Sequence, residues 1–187
     1  MVKKLSIGLL LILFMAGSLA GKKVSGIIMP DSLTFGGEKL LLNGAGQRTK
    51  FFIDAYVSGL YLKKRSANSA AILNANEKMA IRLHITSGLI SGKRMAESTN
   101  EGFTKSTNGK TGPLRSRINR FISVFKNGIN KGDVYNIVYF PGVGIKVYKN
   151  GRYAITVKGK DMKKALFGIW IGNRPPSAKL RRQMLGS

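Results

Sequence analysis

Glu97 and Glu101 stand four residues apart, and no other two carboxylates in the chain are so close. On a helix that spacing puts both on one face. Paired carboxylates are the machinery of glycoside hydrolysis and of oxygen-ligated cation sites. A solvated helix face explains the pair as well, because the remaining acids, Asp31, Glu38, Asp54, Glu77, Asp133 and Asp161, are scattered. The only histidine, His84, falls in an Ile81, Leu83, Ile85 alternation that reads as a strand, which favours a structural or solvent-facing role. One imidazole cannot furnish a histidine-based metal centre, and a Ser-His-Asp triad is hard to build around it. Cysteine is absent, so thiolate nucleophiles and disulfides are excluded. The residues call for no metal and no cofactor, and hydrolytic or metal-dependent enzymes are disfavoured.

Basic groups outnumber acidic ones by 32 to 8, a formal charge of +24. Such a field attracts nucleic acid, lipid headgroups and acidic small molecules alike. The cations are dispersed in short groups, among them Lys63, Lys64 and Arg65, Arg115, Arg117 and Arg120, and Lys163 and Lys164. With no basic tail or arginine block, a nucleic-acid partner is not expected. A solvated surface is the main reading, and peripheral contact with an anionic membrane or polymer is the alternative.

At the N-terminus, Lys3 and Lys4 precede an apolar run from Ile7 to Ala16, followed by Gly17, Ser18, Leu19 and Ala20. This is the pattern of a cleavable secretory signal over residues 1–20, processed between Ala20 and Gly21. A membrane anchor needs about 20 apolar residues to cross a core of roughly 30 Å, and this run is shorter and interrupted. The expected mature chain, residues 21–187, is then periplasmic or secreted, carries +22 and is the length of one domain.

The elements that must position any site follow from periodicity and turn residues. Val24–Met29 and Leu33–Leu42 read as strands, Asn43 Gly44 Ala45 Gly46 as a loop, and Arg48–Leu62 as a long β-rich stretch covered on both faces. Ser66 is expected to cap a short helix reaching Ala75, and Met79–Thr86 returns as a strand. Ser91 caps a helix to about Ser106 with a stripe of small residues, and Leu114, Ile118, Phe121, Ile122 and Phe125 mark the next. Three strands, Asp133–Phe140, Val143–Lys149 and Arg152–Lys158, follow, the last two joined by an Asn150 Gly151 type I′ turn. A helix over Asp161–Ile171 and another capped by Ser177 complete the chain. The order predicts an α+β fold with a mainly antiparallel sheet and helices packed over one face.

The stretch from Leu41 to Lys50, followed by Tyr56 Val57 Ser58 Gly59 Leu60 Tyr61 Leu62, resembles the chalcone isomerase-like family, in its bacterial, signal-bearing branch. Lys131 Gly132 Asp133 Val134, Pro141 Gly142 Val143 Gly144 and Ala165 to Gly172 extend the likeness over nearly the whole expected mature chain. The resemblance implies a cleft between sheet and helices, and a choice among isomerases, non-catalytic relatives and fatty-acid binders. It also implies that Arg48 is the cleft arginine, a guanidinium fork suited to a phenolate or a carboxylate. The isomerase threonine aligns with Tyr56, its helix tyrosine falls on or near Met95 and its asparagine near Gly102, so cyclisation of a chalcone is not expected. An arginine with a tyrosine is similar to the fatty-acid-binding pattern, and Phe52, Met95 and Phe103 are added as expected lining residues. Eight residues of unbroken strand would set Arg48 and Tyr56 about 26 Å apart, so a shared ligand requires a bend between them. The reading is an exported, non-catalytic binder of a fatty acid or similar amphipathic anion. Its alternatives are an intramolecular lyase acting on another enone, and a basic envelope protein whose partner is an anionic membrane or polymer.

Overall fold

The computed structural model describes residues 21–50 and 52–186. The expected signal, residues 1–20, lies outside them. The chain forms strands β1 (Gly21–Val24), β2 (Ile27–Pro30), β3 (Ser32–Phe35), β4 (Glu38–Lys50) and β5 (Ile53–Leu62), helix α1 (Ser69–Asn74), strand β6 (Met79–Ile85), and helices α2 (Gly92–Ser106) and α3 (Arg115–Ile122). Strands β7 (Val134–Phe140), β8 (Gly144–Lys149) and β9 (Arg152–Val157) and helices α4 (Lys160–Ile171) and α5 (Ala178–Leu185) follow. Strands β3 to β9 pair in sequence order as one antiparallel sheet, and β1 with β2 makes a separate hairpin. The α+β expectation holds.

Strand parity decides what each sheet face buries. Along β5, Tyr56, Ser58, Leu60 and Leu62 pair with Ile85, Leu83, Ile81 and Met79 of β6 on the inner face, under the helices. Val57 and Tyr61 alternate to the outer face, where Leu42, Ala80 and Val138 join Met29 of the β1–β2 hairpin in a second, smaller cluster. His84 is half-buried on that outer side, opposite Val57. Burial and the charge of Arg82 both hold its imidazole below the usual range.

Turn chemistry accounts for the differences from the expected strands. Ser25 and Gly26 take positive φ and split the first predicted strand into the β1–β2 hairpin. Gly36 and Gly37 do the same to Leu33–Leu42, producing β3 and β4. Asn43 to Gly46 is no loop: β4 runs through it, with a bulge between Leu42 and Gly44. The glycines serve close approach. A Cβ on Gly44 would lie 2.1 Å from the Gln183 carbonyl oxygen, and one on Gly46 2.0 Å from the Gln183 side chain, so α5 can lie directly on the strand. Asn43 fastens this seam, its amide donating to the Met184 carbonyl at 2.9 Å and the Ser66 carbonyl at 3.0 Å.

The cap of α1 is Asn68, whose side chain accepts from the Ala71 amide, and not Ser66. Ser91 and Ser177 cap α2 and α5 as expected, and Asn150 with Gly151 closes the β8–β9 turn at positive φ. Lys163, which the sequence groups with the solvated cations, is fully buried in α4. Its ammonium donates to the carbonyls of Ile72, Leu73 and Ala75 at 3.2, 2.9 and 2.7 Å, satisfying the C-terminal end of α1 with its three protons.

Candidate ligand-binding site

The β4–β5 connection brings the expected anion clamp together. Phe52 stands in the turn at φ 63°, and the strands leaving it place Arg48 directly opposite Tyr56 in the ladder. Directly opposed residues lie about 5 Å apart, so the separation that a continuous strand would impose disappears. A register shift between Arg48 and Thr49 marks the bend. The sequence offers no Gly, Pro or Asn there to announce it.

Both side chains line a cavity of about 550 Å³, bounded by β4, β5, α2, α4 and the loop after β6. That volume lies within the range of roughly 300–1,000 Å³ usual for small-molecule sites. Ile53, Ala55, Met95, Ile169, Trp170 and Pro176 supply apolar wall. Gly102 permits this geometry, because a Cβ there would come 2.7 Å from Ile169 Cγ2 and push α2 off α4.

Tyr56 is 8% exposed, and its hydroxyl accepts from Trp170 Nε1 at 3.0 Å. Burial pushes its phenol up, only partly opposed by the Trp170 hydrogen bond and the Arg48 charge, so at neutral pH the group is a protonated donor. The bond from Trp170 occupies an acceptor lone pair and leaves the phenolic proton for an acceptor in the cavity. Arg48 is half-buried, donates from Nη1 to the Thr49 carbonyl at 2.6 Å, and forms no ion pair among the described residues. Its remaining N–H groups make it an unneutralised fork beside a neutral phenol.

The rim is polar. Lys50, Arg94 and Lys105 are lining cations, and Glu97 and Glu101 are exposed on α2 among them. The carboxylate pair is thus a feature of the cavity edge, where solvent screens it. Lys50 Nζ lies 3.5 Å from Ser98 Oγ, a long contact. No group of three or more His, Cys, Asp or Glu that could hold a metal occurs among the described residues.

Of the expected lining residues, Met95 takes its place in the wall and two do not. Phe52 is fully exposed at the left-handed turn and contributes no wall to the cavity. Phe103 is fully buried in the main core, edge-to-face on Phe121 at 6.1 Å, because its position on α2 faces α3. Two participants were not singled out from sequence. Trp170, the only tryptophan, sits in a helix that reads as pure core, yet its indole N–H required a partner and found Tyr56. Arg94 holds the loop after β6 by donating to the Leu89 carbonyl at 3.3 Å.

The profile of the chalcone isomerase-like family matches residues 21–186. None of the curated proteins matches the sequence. Among solved structures, the crystal structure of a fatty-acid binding protein from Arabidopsis thaliana superposes with a TM-score of 0.68 at 22% identity, covering 86% of this chain and 92% of that one. At that identity the likeness speaks for the fold.

Proposed function

The chain belongs to the chalcone isomerase-like family, and from that premise we propose that it is an exported, non-catalytic protein that binds a fatty acid or similar amphipathic anion. The observation that carries the reading is the ladder pairing of Arg48 with Tyr56 on an apolar cavity. A carboxylate would take charge-assisted hydrogen bonds from the guanidinium and one from the phenol, and the acyl chain would lie on Met95, Ile169 and Trp170. Each buried methylene contributes about 0.8 kcal/mol. The similar plant structure is of a fatty-acid binding protein, in keeping with this ligand class. Catalysis finds less support: Met95 and Gly102 stand near the positions where the isomerase pattern has a tyrosine and an asparagine, and neither can hold a water against a ketone. Export rests on the basic and apolar pattern of residues 1–20, and the family match begins at Gly21, directly after the expected cleavage point.

Solvent extraction of purified protein should release lipid. Titration with a fatty acid should show Arg48→Gln weakening binding more than tenfold, while affinity for the fatty alcohol of the same chain length stays within twofold. Equal losses for acid and alcohol would remove Arg48 as the anchor, and an unliganded protein with no affinity for either would end the reading.

A further inference from the structure

Five large apolar side chains are exposed among the described residues, and two of them, Phe52 and Leu89, adjoin the cavity. Leu89, 65% exposed, lines it, and Phe52 is followed directly by Ile53, which also lines it. Hydrogen bonds hold the two loops side by side: Thr86 Oγ1 donates to the Asp54 carbonyl at 2.6 Å, and the Thr86 amide to the Ala55 carbonyl at 3.1 Å. The result is a cavity mouth lined by Leu89, Arg48, Lys50 and Arg94, with the exposed Phe52 on the adjoining turn and the exposed Glu97 and Glu101 on α2. Phe52 is also a bulky residue at positive φ, a conformation that asparagine or glycine would hold more easily, and its ring contributes nothing to the core.

We infer that Phe52 and Leu89 form a membrane-docking rim that seats the open side of the cavity on an anionic bilayer. Isolated exposed leucines are ordinary, but an aromatic and an aliphatic tip with cations behind them have the composition of interfacial anchors. The charge of +22 on the expected mature chain complements the anionic surface and draws the protein to it, and the two tips enter the acyl boundary. Docked in this way, the cavity opens toward the phase in which its ligand dissolves, so an acyl chain reaches Trp170 without crossing water. The inference rests on the reading of the cavity as a lipid site.

The test is co-sedimentation with vesicles of phosphatidylglycerol and phosphatidylcholine, against phosphatidylcholine alone and against heparin as a soluble polyanion. Wild type should favour the anionic vesicles, Phe52→Asn should weaken that partition about tenfold, and adding Leu89→Asn should bring the loss to about a hundredfold. Asparagine tolerates the left-handed backbone, so Phe52→Asn should fold. Heparin affinity should be the same in all three proteins. Vesicle binding that is absent, or that survives both substitutions, would overturn the inference. Uptake of a dissolved fatty acid without vesicles, read by Trp170 emission, should be unchanged in Phe52→Asn. Its absence from wild type would instead refute the lipid reading of the cavity, whatever the vesicles show.

Discussion

Replacing Lys163 by methionine removes the ammonium that bonds the carbonyls at the end of α1. Three backbone carbonyls, those of Ile72, Leu73 and Ala75, lose their donor in a fully buried position. An unsatisfied buried acceptor costs about 1–3 kcal/mol, and releasing a buried ammonium from its desolvation penalty returns several kcal/mol of the total. The balance is a destabilisation of about 3 kcal/mol at pH 7, or roughly 10 °C in Tm for a domain of this size. The pH dependence supplies a second readout. Burial, with the neighbouring charges of Lys160 and Lys164, lowers the Lys163 pKa to about 8, whereas an unfolded lysine titrates near 10.4. Between these values the unfolded chain keeps a proton that the folded chain has lost, so folding stability gains as pH rises through the window and is flat below it. The stability of wild type minus that of Lys163→Met should therefore grow between pH 7 and pH 10, by up to about 3 kcal/mol. Taking the difference cancels the other titrating groups. Urea unfolding at pH 7 and pH 10, followed by far-UV circular dichroism, measures both quantities. A methionine variant within about 0.5 kcal/mol of wild type at pH 7, with an equal slope to pH 10, would refute the argument.

Other outcomes follow from the seam and the cavity. Gly44→Val should cost about 3 kcal/mol and leave α5 open to proteolysis, because its Cβ meets backbone that cannot yield; denaturant midpoints near wild type would count against the close-packed seam. Tyr56→Phe should weaken carboxylate binding about tenfold and lower stability by about 1 kcal/mol, since Trp170 Nε1 loses its acceptor. Filling the cavity should shift Trp170 emission, and Arg48→Gln should move that titration to higher fatty-acid concentration without changing its endpoint. Chalcones should show no enzyme-dependent loss of absorbance, and turnover abolished by Arg48→Ala would reinstate the lyase alternative.

Where one residue type carries one meaning, the sequence could be read directly. Ser91 and Ser177 at helix starts, Asn150 Gly151 between alternating strands, and the two-sided burial of β5 all came out as expected. Glycine has two uses, and local pattern does not separate them. Gly36 and Gly37 make a turn, whereas Gly44 and Gly46 flatten a strand for a helix more than 130 positions away. The β4–β5 turn, required by the ligand argument, has no local signature for the opposite reason, since Phe52 holds a left-handed backbone that its type disfavours. Arg48 and Tyr56 were named from family likeness, and their juxtaposition became visible only through the register of the ladder. Trp170 and Lys163 each carry one polar group on an otherwise apolar stem, and the hydropathy of neighbours says nothing of where that group finds its partner.

The glycine seam on β4 also imposes an order of events on folding. Strands β3 to β9 pair with their immediate sequence neighbours, by short closures everywhere except between β6 and β7, which the α2–α3 segment separates. The cover of Gly44 and Gly46 comes from Gln183 and Met184, near the C-terminal end. Until those residues are free, β4, next to the edge of the sheet, has no lock, and Asn43 has no Met184 carbonyl to hold. A chain threaded through a pore from its N-terminus would keep that seam open until Gln183 and Met184 have passed, and would become committed to its folded form only then. Pulse proteolysis of a chain stalled before residue 178 should accordingly find β4 cleavable, and the same strand resistant once α5 has been freed.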